Sequence, residues 1–206
     1  MLDSKGFDMW ADGYDRTVRE CAENSEYPFA GYKEVLNTIY DRVKSAEGKT
    51  VLDIGFGTGV LTKKLYDEDV KIYGIDFSDE MIKLAGEKMP GAVLLKQDFT
   101  KGLPLELKEK KFDFIISTYA IHHLTDKEKA AFIKELKGHL EENGEILIGD
   151  VAFETRKELE LCKSKAGDDW DRDEIYIVKE ELQKDIPGIL FKKINFCSGV
   201  CVIKEN

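Results

Sequence analysis

Proline is scarce in this chain of 206 residues, with four in all. That excludes a proline-rich linker, and no other tract is biased enough to stay unfolded. Cysteine is equally sparse. Cys21, Cys162, Cys197 and Cys201 form no C-x-x-C pair and have no histidine at zinc-ligand spacing. No disulfide framework or metal site is expected, and the thiols are expected free and reduced. Positive charge is in deficit: 31 Lys and Arg against 41 Asp and Glu leave a formal net charge of -10. Such a surface repels phosphate polyanions on average, which argues against a nucleic-acid partner. The opening residues lack the basic stretch and apolar core of a signal peptide, and no apolar run approaches membrane-spanning length. The expectation is a cytoplasmic protein without a membrane partner, acting as a monomer or homodimer.

What is present is ordinary for a globular chain, with 42% apolar and 35% charged residues in the length of one domain. Two segments at the start read as helices, from about Asp8 to Asn24 and from about Ala30 to Ser45. The second carries Tyr32, Val35, Leu36, Ile39, Tyr40 and Val43 at i, i+3, i+4 spacing. From Thr50 onward short apolar runs alternate with amphipathic stretches, the pattern of an α/β fold whose parallel strands are joined by crossover helices. Strands are expected at Thr50 to Ile54, Ile72 to Ile75, Val93 to Gln97, Phe112 to Ser117 and, after a turn at Glu142-Asn143-Gly144, Glu145 to Asp150. Ser78 and Asp126 mark helix starts, and further helices are expected from Glu154 and near Lys179 to Asp185. Two closing strands, Phe191 to Phe196 and Gly199 to Lys204, have only Cys197 and Ser198 between them and so must pair antiparallel.

The run Asp53-Ile54-Gly55-Phe56-Gly57-Thr58-Gly59 ends the first strand, where glycines let the backbone turn sharply and approach a nucleotide. The dinucleotide fingerprint G-x-G-x-x-G does not fit, because its third glycine would fall on Val60; no Gly-Lys-Ser/Thr follows to make a P-loop. Asp53 is a carboxylate in an apolar strand and needs a partner. It either bonds the loop's own N–H groups or helps to hold the ammonium of a methionyl group. Asp76, ending strand two, can accept from both ribose hydroxyls. Asp98 can accept from an adenine amine, with Phe77, Met81 or Phe99 packed on the ring. Each of these apolar residues can equally be core.

Val51-Leu52-Asp53-Ile54-Gly55-Phe56-Gly57-Thr58-Gly59, Gly74-Ile75-Asp76-Phe77-Ser78, Gln97-Asp98-Phe99, Phe112 to Ser117 and Asn143-Gly144-Glu145 resemble, in order and spacing, the signature segments of class I S-adenosylmethionine-dependent methyltransferases. Phe56 departs from the pattern, where many members carry Cys or a small residue. The resemblance spans about Thr50 to Asp150. It implies a Rossmann-like, doubly wound, seven-stranded sheet with the last strand antiparallel. It also implies S-adenosylmethionine as cofactor, S-adenosylhomocysteine as product, and contacts from Asp53, Gly55, Gly57, Gly59, Asp76, Phe77, Met81, Asp98, Phe99 and Ser117. Trp10 to Asp15 and Gly167 to Asp171 are similar to small bacterial methyltransferases of the YrrT type, a likeness that supplies no substrate. In this organisation residues 1–46 form a helical lid, with Trp10 and Tyr14 over the methionyl end. Residues 50–150 hold the cofactor, and residues 151–206 supply substrate-side helices and the closing hairpin.

A sulfonium methyl is already activated, so catalysis can consist of holding the acceptor in line and excluding water. If the acceptor must lose a proton, His122 or His123, after strand four, stands where a base is wanted, and Tyr119 beside them can orient the acceptor. Adjacent residues seldom point the same way, so at most one histidine serves. The acidic run around Trp170, from Asp168 to Asp173, can hold an amine-bearing acceptor or simply face water. The favoured acceptor is a small molecule. An RNA or protein methyltransferase and a non-catalytic cofactor-binding module are the alternatives.

Overall fold

Continuous apolar runs such as Phe114-Ile115-Ile116 and Ile146-Leu147-Ile148 bury both of their faces and can settle only in the middle of a sheet covered on both sides. The computed structural model, which describes residues 26–47 and 50–205, shows such a sheet. Helix α1 (Tyr32–Lys44) precedes β1 (Thr50–Ile54), α2 (Val60–Tyr66), β2 (Lys71–Asp76), α3 (Asp79–Lys88), β3 (Val93–Lys96) and β4 (Phe112–Thr118). Then come α4 (Asp126–Lys137), β5 (Leu140–Phe153), α5 (Arg156–Ala166), β6 (Ile177–Val178), α6 (Lys179–Leu182), β7 (Leu190–Lys193) and β8 (Ser198–Lys204).

The strand order is β3-β2-β1-β4-β5-β8-β7, with β6 beside the end of β5. Pairs from β3 through β5 are parallel, whereas β8 runs antiparallel to both β5 and β7. The path from β1 goes outward through β2 and β3, then returns to β4 on the other side of β1. A crevice therefore opens beyond the carboxyl ends of β1 and β4, the usual place for a ligand in such sheets.

Strand alternation sorts the core into two layers. Leu52, Ile54, Ile75, Ile115 and Ile146 face α4 with its Ile133 and Leu136. Val51, Ile72, Ile116 and Leu147 face α1 and α2, through Val35, Ile39, Leu61 and Leu65. Helix α1 lies close on β5: a Cβ at Gly149 would stand 2.4 Å from Val35 Cγ1. Its outer end is tied by the paired hydrogen bonds of Arg42 to Glu145. Local signals were followed closely. Ser78 Oγ accepts from Met81 N to cap α3, and Thr125 with Glu128 forms a capping box on α4, worth about 1 kcal/mol.

Four expectations need correction. The sheet has an eighth strand, because Ile177 and Val178 pair in parallel with Ala152 and Phe153. Glu142-Asn143-Gly144 is no turn; it lies within β5 as a bulge, with Asn143 at φ +66° opposite a register shift between Phe112 and Phe114. The closing hairpin has a longer connection, residues 194–197, because Asn195 Oδ1 accepts from the amides of Cys197 and Ser198 and rounds the turn. The helix expected to reach Asp185 stops at Leu182. The helix expected from Asp8 to Asn24, with Trp10, Tyr14 and Cys21, lies outside the described residues. Among the described residues, no helix is long and apolar enough to cross a membrane.

Candidate functional site

The turn after β1 is built on left-handed backbone: Gly55, Gly57 and Gly59 have φ of +70°, +56° and +76°. Side chains with a Cβ rarely adopt these angles. Gly55 N donates to Ile75 O at 2.8 Å, and Gly57 N to Asp76 Oδ2 at 2.9 Å. A Cβ at Gly57 would meet nothing within 4 Å, so the loop presents bare backbone to an open space. Phe56 turns the other way. Its ring lies against Gly74 and packs with Ala85 and Met89, which explains how the loop tolerates a large residue there.

The space is a cavity of about 750 Å³, measured to its open mouth. Its floor is Asp53, Gly55, Gly57 and Asp76; Phe77, Met81 and Phe99 form one wall. At the other end stand Tyr32 from α1 and Thr118, Tyr119, Ala120 and His123 from the end of β4. Most of the expected residues are thus gathered at one place.

Asp53 sits on the Val51 side of its strand and faces α2, where the Thr62 hydroxyl donates to Oδ2. Oδ1 is buried and, among the described residues, has no hydrogen-bond partner. Burial pushes this carboxyl up to about 7; the Thr62 bond opposes the shift and the nearby Asp76 charge adds to it. Asp76 is 4% exposed and shapes the loop itself, accepting from Gly57 N through Oδ2 and from Ser78 N through Oδ1.

Other expected residues stand elsewhere. Gly59 does not line the cavity; it caps α2 and packs toward Met89. Asp98 also lies outside the lining and caps the 3-10 turn Phe99–Lys101, accepting from Thr100 N at 3.0 Å and pairing with Lys101. Burial opposes its charge, but these partners outweigh it and lower its pKa. Ser117 is buried between strands and donates to Ile54 O at 3.1 Å. Tyr14 is outside the described residues. The acidic run presents Asp168, Asp169, Asp171 and Asp173 at the exposed surface, while Trp170 turns inward and stacks on Tyr27 at 5.2 Å. None of these five lines the cavity.

The two histidines part company. His123 faces the cavity, and burial, followed by the neighbouring His122, holds its pKa down at about 4. His122 points away into the protein, with Nδ1 2.8 Å from Asp150 Oδ1. Burial alone would discourage charge on it, but the carboxylates of Asp150 and Glu174 outweigh burial and raise its pKa. Tyr119, at φ +51°, packs its ring against Tyr32 at 5.2 Å.

Sequence reasoning did not single out Thr62, Tyr32, Asp150 or Glu174 as site residues. Thr62 had a usable signal: it is a polar residue beside Leu61 on the buried stripe of α2, facing an aspartate that needed a donor. Glu174 had none.

The fold and site match known proteins. A family model described as a methyltransferase domain matches residues 51–144. An uncharacterized methyltransferase of Geobacillus sp. (strain WCH70) is 40% identical over 161 residues, covering 78% of this chain and 72% of that protein. The uncharacterized methyltransferase YrrT of Bacillus subtilis (strain 168) is 36% identical over 162 residues, with the same shares of each chain. Among solved structures, the magnesium protoporphyrin IX methyltransferase of Synechocystis PCC 6803, crystallised with S-adenosylhomocysteine, superposes with a TM-score of 0.67. It is 18% identical and covers 86% of this chain and 85% of its own. Relatives this similar over most of both chains establish the family: the chain belongs to the class I S-adenosylmethionine-dependent methyltransferases.

Proposed function

We propose that this methyltransferase acts on a small-molecule acceptor, with the methionyl end of the cofactor against Asp53 and the acceptor between Tyr119 and His123. The observation that carries the reading is the buried Oδ1 of Asp53, an acceptor with no hydrogen-bond partner among the described residues, in the lining of a cavity. A buried carboxylate oxygen normally has a donor, and an ammonium group supplies one. The bare backbone around Gly57 leaves room for the chain that carries it.

In this reading Asp53 accepts from the ammonium. Asp76, whose carboxylate holds the amides of Gly57 and Ser78 at the end of β2, receives the ribose hydroxyls. Phe77, Met81 and Phe99 enclose the adenine. The bound cofactor supplies an activated sulfonium methyl. The protein's part is to align the acceptor, to exclude water with Tyr32 and Tyr119, and to take up a proton at His123 where the acceptor sheds one. A narrow cavity and a net charge of -10 favour a small acceptor over RNA.

Incubation with methyl-labelled S-adenosylmethionine and a metabolite extract, followed by mass spectrometry, is expected to yield a labelled small molecule. Label appearing only on RNA or protein, or cofactor binding with no labelled product, would overturn the reading.

A further inference from the structure

His122 is engaged at both ring nitrogens: Nδ1 lies 2.8 Å from Asp150 Oδ1 and Nε2 3.3 Å from Glu174 Oε1. A neutral imidazole has one N–H and would turn a lone pair toward one of these carboxylates, whereas an imidazolium donates to Asp150 and sets its positive charge beside Glu174 as an ion pair. Asp150 reinforces the choice. It is fully buried, its Oδ1 is shared with Val151 N, and its Oδ2 has no hydrogen-bond partner among the described residues, so its charge needs a nearby cation. Lys129, from α4, donates to Leu124 O and lies 3.6 Å from Asp126, so among the described residues His122 is the cation in contact with Asp150.

Glu174 is held as firmly. Its second oxygen accepts from the Tyr176 hydroxyl at 2.7 Å, and that hydroxyl also meets the hydroxyl of Tyr27. Ile175 N donates to His122 O at 2.9 Å, so the backbone on this side clips the histidine turn directly. The ring of His123 stands edge-on to that of His122, with centroids 4.4 Å apart, and faces the cavity. A fixed cation at that distance disfavours a second proton on its neighbour.

We propose that Glu174 is a positioning residue for proton uptake in the cavity: with Asp150 it holds His122 as an imidazolium, and that cation keeps His123 an uncharged proton acceptor. The inference rests on the reading of the cavity as the transfer site, and it names an acceptor class, one whose hydroxyl, thiol or ammonium group loses a proton. The X–H bond of the acceptor breaks, an N–H forms on His123, and the proton passes on to solvent. Among the described residues, the groups facing the pair are Asp150 from β5, Glu174, Tyr176 and Asp171 from the segment around β6, and Lys129 from α4. Asp150 and Asp171 favour a proton on His123, but burial and His122 outweigh them. Burial raises the pKa of Glu174, against the pull of His122 and Tyr176.

The chain has three histidines, so nitrogen-15 NMR of histidine-labelled protein resolves the matter, with His139 as internal reference. At neutral pH the unaltered protein should show both nitrogens of His122 protonated and His123 neutral. Glu174→Gln keeps the shape and removes the charge. It should lower the His122 midpoint and raise that of His123, each by about one pH unit, with Glu174→Asp restoring part of both shifts. Calorimetry with S-adenosylmethionine checks that the variants are folded. A neutral His122 in the unaltered protein, or a His123 midpoint unmoved by Glu174→Gln, would overturn the proposal; the first test needs no variant. If no labelled small molecule is found, the acceptor reading fails while the NMR result still decides the role of Glu174.

Discussion

The Thr62 hydroxyl donates to Asp53 Oδ2 across the gap between α2 and β1, while Asp53 Oδ1, beside the glycine loop, has no donor among the described residues. One oxygen belongs to the fold and the other is left for a ligand.

Thr62→Val should therefore cost stability and, with the opposing bond gone, push the Asp53 carboxyl further up. Among the described residues it removes the one hydrogen-bond donor to Asp53, and leaving such a group unsatisfied costs roughly 1–3 kcal/mol. Chemical denaturation should show the loss; an unchanged midpoint would mean that the pair carries no stability.

Asp53 also gives a pH dependence. Burial pushes its carboxyl up to about 7 from an ordinary 3.8, so between those values the folded chain holds a proton that the unfolded chain has released. Proton binding that favours the folded state makes stability fall as pH rises through this window. In Asp53→Asn that part of the slope should vanish from melting curves of the ligand-free protein. The same variant should bind S-adenosylmethionine about tenfold or more weakly, because the charge that meets the ammonium is gone.

Asp76→Ala should weaken cofactor binding by roughly 1.5–3 kcal/mol, through lost ribose contacts and a slackened loop that no longer anchors Gly57 N. Calorimetry decides this, and unchanged affinity would sink the ribose assignment.

His123→Ala should leave cofactor affinity intact and slow methyl transfer to an identified acceptor by about 10²-fold or more, the usual contribution of a positioned base. The accompanying loss of activity should be absent from binding isotherms. An unaffected transfer rate would remove the base from the mechanism.

Gly149→Ala tests the packing of α1. The added Cβ would stand 2.4 Å from Val35 and 3.0 Å from Ile39, so overpacking should cost about 1–3 kcal/mol in thermal or denaturant unfolding.

Much of this was legible in the chain because it is local. Apolar runs buried on both faces become central strands whatever surrounds them, Ser78 and Thr125 cap the helices that begin beside them, and three glycines force the turn that opens the cavity. Asp53 and Asp76 are conspicuous because a carboxylate at the buried end of a strand demands a reason. Where the reading erred, a long-range contact overruled a local preference. Asn143 and Gly144 suit a turn in isolation, yet the ladder to β4 absorbs them as a bulge.

The amino-acid sequence by itself determined the α/β class, the glycine loop, the family and the end of the sheet where the cofactor belongs. Only the tertiary structure decided which oxygen of Asp53 is left without a donor, which of two adjacent histidines faces the cavity, and that Glu174 reaches the other. Those outcomes depend on pairs such as Asp53 with Thr62 and His122 with Glu174, whose meeting is set by how helices and segments fall across the sheet. Neighbouring positions in the chain carry no trace of it.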